Sequence, residues 1–239
     1  MQKSKVYYLP ALLLGIPLFL YIDSPYFAHY FKDSQHLATL LVGLVFLYLY
    51  KRSNSRTRAI MLIGIVVGLL GEFLFSKVLG MYHYRLDNIP LWVGFGHSLI
   101  FASVHRIIRR PLFLEHKQKI QNYSVAFIAI YASAWFVFAN DLFGFITTLA
   151  FLAMLFIVKK SRMFFTVMFL IVCYIEIIGT TMLTWWWPPT LMGTFDTLVS
   201  ANPPTGVAIF YFLFDFVVLH TYLALNPKTK KRYNRQKVI

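Results

Sequence analysis

The chain has 239 residues, of which 59% are hydrophobic, 18% aromatic and only 13% charged, with a mean hydropathy of +0.63. These residues cannot supply the polar surface that a soluble globule of this size needs, so composition excludes a water-soluble domain and points to an all-α membrane protein. The formal charge of +14 would suit a nucleic-acid binder, but the basic residues stand in short clusters between apolar runs, which is how orientation in a membrane is encoded. Membrane lipids are therefore the expected surroundings, and no nucleic-acid partner is expected. The single cysteine, Cys173, lies inside an apolar run and cannot form an intrachain disulfide.

Eight apolar runs follow one another. Lys3 and Lys5 precede the first, Val6–Ile22, which has the charged and apolar parts of a signal peptide. No small-x-small cleavage site follows it, since Tyr21-Ile22-Asp23-Ser24-Pro25 is bulky and charged, so it reads as an uncleaved first span. The connection Asp23–Gln35 carries Tyr26, Phe27, His29, Tyr30 and Phe31, with His36 next to it, and these are residues of a membrane–water boundary. The second run is His36–Tyr50. The third, Ala59–Leu79, holds Gly64, Gly68 and Glu72 at four-residue spacing, a small-residue face that lets another helix approach and turns the glutamate inward.

The fourth run, Ile89–His105, opens at Pro90, a residue suited to a first helical turn, and carries Gly94 and His97 on roughly one face. The fifth and sixth, Tyr123–Ala139 and Leu142–Val158, are separated only by Asn140-Asp141. The seventh, Met163–Leu183, holds Glu176. A connection containing Trp185-Trp186-Trp187 leads to the eighth, Thr205–Ala224, with Asp215 and His220. Within that connection Leu191, Phe195 and Leu198 are spaced like one face of a helix. A surface helix there would form a lid over the buried acids.

Of the 23 Lys and Arg residues, all but Lys32, Lys77 and Arg85 fall on the side of Met1 in an eight-span bundle. Both termini are then cytoplasmic. Counted from the last basic residue before each span, Arg58 to Glu72 and Arg162 to Glu176 are each 14 residues. Each glutamate is followed by an aromatic cluster, Tyr82-His83-Tyr84 or Trp185-Trp186-Trp187, and then by a proline-opened helix with an ionisable residue, His97 or Asp215. The spacing predicts two parallel four-span repeats, residues 1–122 and 123–225, followed by a basic cytoplasmic tail, residues 226–239.

At about 1.5 Å of rise per residue, Glu72, Glu176, His97 and Asp215 lie roughly 10–15 Å below the outer face. Ionisable residues at such depth mark functional sites. These four are the candidate catalytic residues, and Tyr82, Tyr84, Trp92, Trp185, Trp186 and Trp187 are the candidate substrate-binding residues. Two glutamates, an aspartate and a histidine can also ligate a metal. No short ligand motif accompanies them, so neither metal nor cofactor is expected.

The residues Glu72, Gly80, Tyr82, Tyr84 and Pro90 in GEFLFSKVLGMYHYRLDNIP resemble a motif of the carotenoid-biosynthesis membrane proteins that include the carotenoid hydratases. There an intramembrane glutamate precedes a Gly-x-Tyr-x-Tyr segment and a proline-opened helix. The resemblance is confined to Glu72–Pro90, and the WWWPPT and ANPP segments depart from the family's pattern. It implies protonation of an isoprenoid double bond followed by water addition, with Glu72 as the acid, in a bacterial inner membrane. Three classes of function stay open on the residues themselves. They are an enzyme that transfers a proton to a lipid or isoprenoid, a proton-coupled transporter of a small or amphipathic solute, and a non-catalytic protein whose polar residues lock helices together. The position of the acids in the outer half favours the enzyme.

Overall fold

The computed structural model describes residues 8–158 and 161–227. Expectations that fall on Met1–Lys5, on Lys159 and Lys160 and on residues 228–239 of the basic tail lie outside the described residues. Eight helices of 15 to 23 residues form an all-α bundle: α1 (Tyr8–Ile22), α3 (Ser34–Lys51), α4 (Ser55–Glu72), α5 (Leu91–Ile107), α7 (Lys117–Ala139), α8 (Leu142–Ile157), α9 (Arg162–Thr181) and α10 (Ala208–Leu225). Two short helices, α2 (Pro25–Ala28) and α6 (Pro111–Glu115), sit in connections. Each long helix coincides with one predicted apolar run. Four helical segments, Ser55–Val78, Lys117–Ala139, Arg162–Thr181 and Thr205–Leu225, are long and apolar enough to cross a membrane.

α9 is the central helix. It is apolar nearly all round, which suits only a helix enclosed by others, and Phe169 and Val172 at its middle are fully buried. α4 packs along α5 and α10, α3 along α5, and α7 along α8 and α9. The small-residue face of α4 receives α5. A methyl group on Gly68 would lie 3.1 Å from the His97 ring, so the glycine is what allows the histidine to sit beside α4.

The connections sort by charge. At one end of the bundle, the turn after α3 is tied by Arg58, which donates to the Tyr50 and Lys51 carbonyls at 2.9 and 2.6 Å, and by Arg106, which donates to Ser53 Oγ at 2.6 Å. At the other end, two buried aspartates pin the loops. Asp23, just after α1, accepts from Trp92 Nε1 at 2.7 Å and pairs with Arg85 at 3.0 Å. Burial nevertheless holds its carboxyl above the ordinary aspartate range. Asp141, between α7 and α8, caps α8 through Gly144 N at 3.0 Å and also accepts from Ala201 N, Thr205 N and Thr205 Oγ1 at 3.1, 2.8 and 3.0 Å.

Past Glu72, α4 continues as a wider π-type turn over Phe73–Val78, a deviation that often marks functional positions. The loop beyond it forms strand β1 (His83–Tyr84), which pairs antiparallel with β2 (Trp185–Trp186) and sets His83 opposite Trp186.

The segment Leu191–Val199 is not the predicted surface helix. It is a hairpin of β3 (Thr190–Leu191) and β4 (Phe195–Val199) packed against α8. The reason is its turn, where Met192 and Gly193 both adopt positive φ, 56° and 65°, as a tight hairpin of the primed type requires. Leu191 and Met192 pack on the core, whereas Phe195 is exposed.

Asp141 satisfies three backbone donors, those of Gly144, Ala201 and Thr205, and stranding a buried donor costs about 1–3 kcal/mol. Asp141→Ala is therefore expected to lower the thermal midpoint of the detergent-solubilised protein by many degrees or to prevent its accumulation. An unchanged midpoint would show that the aspartate does not hold the α8 and α10 entries.

Candidate functional site

Glu72 is the last residue of α4 proper, and its side chain is buried. Oε1 lies 2.8 Å from His97 Nε2 on α5. Oε2 accepts from two phenols, Tyr82 at 2.5 Å and Tyr84 at 2.7 Å, both delivered by the loop that α4 runs into. Burial, and then the Glu72 carboxylate itself, push both phenols well above their ordinary pKa, so they remain donors.

Glu176 on α9 is built in the same manner from different donors. Its Oε2 accepts from the indoles of Trp185 at 2.9 Å and Trp187 at 3.1 Å, again from the loop after its own helix. Gly179, one turn further on, makes room for this. Any Cβ there would overlap the Trp185 ring. No hydrogen bond among the described residues reaches Glu176 Oε1.

Glu176 opens on a chamber that Glu72 meets only through its partners Tyr82, Tyr84 and His97. A cavity of about 50 Å³ is lined by Tyr82, Tyr84, Trp92, His97, Glu176 and Tyr211, among others. The His97 ring lies 5.0 Å from that of Tyr211 and 5.1 Å from that of Phe214. Asp215 stands apart from the two glutamates. It borders a neighbouring cavity of about 20 Å³ with Gly64, Gly68, His97 and Ser98, and its Oδ2 has no hydrogen-bond partner among the described residues. That volume holds about one water molecule.

Of the other expected residues, Trp92 lines the chamber and is anchored through its indole to Asp23. Trp186 is not gathered into the site; it is half exposed and stacks on His83 at 4.7 Å. No group of three or more His, Cys, Asp or Glu among the described residues can hold a metal ion.

Sequence reasoning overlooked Tyr211. A signal for it existed, since Tyr211 follows Pro204 by seven residues, as His97 follows Pro90. It also overlooked Asp23 and Arg85, a buried pair separated by 62 positions with no local pattern to reveal it.

A third, apolar space shares a wall with the chamber. Between α1, α3 and α5, with Ile175 of α9 also against it, lies a cavity of about 570 Å³. It shares Trp92, Gly96, Ile100 and Ile175 with the lining of the acid chamber.

Because Tyr82 and Tyr84 donate to the same oxygen, removing one leaves the other in place, while removing both strands that oxygen. The double variant Tyr82→Phe/Tyr84→Phe should cost more stability than the two single changes added together, by about 0.5–3 kcal/mol. Thermal unfolding of the four proteins measures the coupling. Additive losses would mean that the phenols do not share Glu72.

In comparisons with known proteins, the chain matches no protein-family model, no curated protein and no solved structure.

Proposed function

We propose that the protein is an integral membrane enzyme that transfers a proton to a carbon–carbon double bond of a long apolar substrate of isoprenoid type, as a hydratase or isomerase. The observation that carries this reading is that the 570 Å³ apolar cavity shares a wall, Trp92, Gly96, Ile100 and Ile175, with the chamber lined by Glu176 and by the partners of Glu72. The cavity has the size of a small-molecule site and is lined mainly by hydrophobic residues. An apolar chain in it brings a segment to the carboxyl groups across Trp92 and Ile100.

The hydrogen bonds support a division of roles. Glu72 has donors on both oxygens and acts with His97 as the base; Glu176 has a free Oε1 and is the proton donor. Glu176 protonates one alkene carbon, leaving a carbocation on the other that the rings of Trp92, Tyr211 and Tyr82 stabilise. Water then adds, and the Glu72–His97 pair takes its proton; alternatively the pair removes a proton from a neighbouring carbon and the double bond moves. This differs from the carotenoid hydratase resemblance, which makes Glu72 the acid. Asp215 serves as a relay toward His97 through a water-sized cavity.

We further propose that all eight long helices cross a bacterial inner membrane as two duplicated halves with cytoplasmic termini. The collection of basic turns at one end and the pairing of His83 with Trp186, the middle residues of the two aromatic clusters, support this. Single cysteines at Ser55 and Asp87, both exposed, test it. Only Asp87Cys should react with an impermeant thiol reagent applied to intact cells, and labelling of Ser55Cys alone overturns the arrangement.

The halves related in this way also support a proton-coupled transporter, whose acids would lie between repeats. One set of variants separates the readings. Glu176→Gln should fold, bind an isoprenoid such as lycopene and lose all turnover detectable by mass spectrometry of extracted lipids, whereas Asp215→Asn should slow turnover about 10- to 100-fold by weakening proton delivery. Full turnover in Glu176→Gln removes its role as donor. Proton-driven solute uptake into proteoliposomes with no altered lipid would favour transport.

A further inference from the structure

We infer that the cavity between α1, α3 and α5 binds a single-chain amphiphile by an anionic head held at Arg52, with the chain running toward the acid chamber. This rests on the reading above only for what happens at the far end of the chain.

The cavity has two unlike ends. Trp92, Phe19 and Leu20 close it beside the acids, and Ala11, Ser103 and Arg52 stand at the other. Among the described residues, Arg52 is the only charged side chain in its lining. It follows the last turn of α3 and is exposed. Its guanidinium lies 4.9 Å from the centre of the Tyr48 ring, another residue of the lining, and no acidic partner occupies it among the described residues. The planar, permanently charged guanidinium suits a phosphate or carboxylate.

Length agrees with this orientation. Trp92 to Ser103 on α5 spans 11 residues, about 16 Å of helix rise. A head at Arg52 therefore places the acids about that far along the chain, so proton transfer occurs remote from the head and not next to it. The apolar walls accept any chain of suitable width, and the arginine selects which amphiphile enters and which end leads.

Quenching of intrinsic tryptophan fluorescence in uncharged detergent micelles tests the site, with geranylgeranyl phosphate, geranylgeraniol and dioleoyl phosphatidate as probes. Geranylgeranyl phosphate should bind about 10- to 100-fold tighter than the alcohol, the range expected of a charge-assisted contact. Arg52→Gln should remove that preference while largely keeping affinity for the alcohol, because the apolar walls that hold the chain are untouched and only the contact of the guanidinium with the Tyr48 ring is lost. Equal affinity of phosphate and alcohol in the wild type, or an undiminished preference in Arg52→Gln, overturns the assignment. Equally tight binding of the two-chain phosphatidate also overturns it, by showing a surface for bulk anionic lipid. Glu176→Gln should bind geranylgeranyl phosphate as the wild type does. If it does and no turnover is found in any preparation, the enzyme reading fails while the head-group site stands.

Discussion

The carboxyl groups of Glu72 and Glu176 can be carried inside an apolar bundle only because each finds its donors in the loop that its own helix runs into. A buried carboxyl without donors would cost several kcal/mol, and a helix surrounded by apolar neighbours offers none from its own backbone. Two tyrosines answer this for Glu72 and two tryptophans for Glu176. The loops must therefore turn back into the bundle. Their pairing through β1 and β2 and the wide turn over Phe73–Val78 are the backbone consequences.

Loops that fold inward need anchors of their own. Asp23 holds the loop of Tyr82 and Tyr84 through Arg85, and the start of α5 through Trp92; Asp141 holds Ala201 and Thr205 at the entry to α10. Asp23 follows α1 and Asp141 follows α7. In both places a buried acid trades its hydration for bonds to the segment leading into a long helix, α5 or α10. The ion pair between Asp23 and Arg85 joins segments distant in sequence, so breaking it would leave a charge buried without compensation.

The helices were legible because hydropathy is a local property: eight apolar runs became eight long helices with small changes at the ends. Glu72, His97 and Glu176 were legible for a similar reason, since an ionisable residue in an apolar run has little choice but to face inward. What could not be read depends on distant contacts or on backbone torsions. The four-residue spacing of Leu191 and Phe195 mimics a helix, yet Met192 and Gly193 at positive φ reverse the chain. The direction of each tryptophan was equally hidden. Trp185 and Trp187 turn inward and Trp186 outward because a strand alternates its faces, and only the strand reveals which is which. Asp215 has a different helical face, which sets it on the cavity it shares with Ser98 and not on the chamber of Glu176.

The choice of donors bears on chemistry as well as on stability. Arginine or lysine beside either glutamate would satisfy it better electrostatically, and would also fix it as a permanent carboxylate. The cations near this end of the bundle are engaged elsewhere, Arg85 with Asp23 and Lys77 with Asp87. Phenols, indoles and an imidazole are left to serve the two acids. Such neutral donors satisfy the two acids without placing a fixed positive charge beside either. The His97 imidazole, with Ile100 and Tyr211, borders both the acid chamber and the cavity of Asp215. A bundle meant only to lock its helices would gain from a cation at these positions, and the neutral donor set is in that respect what the proposed proton transfer requires.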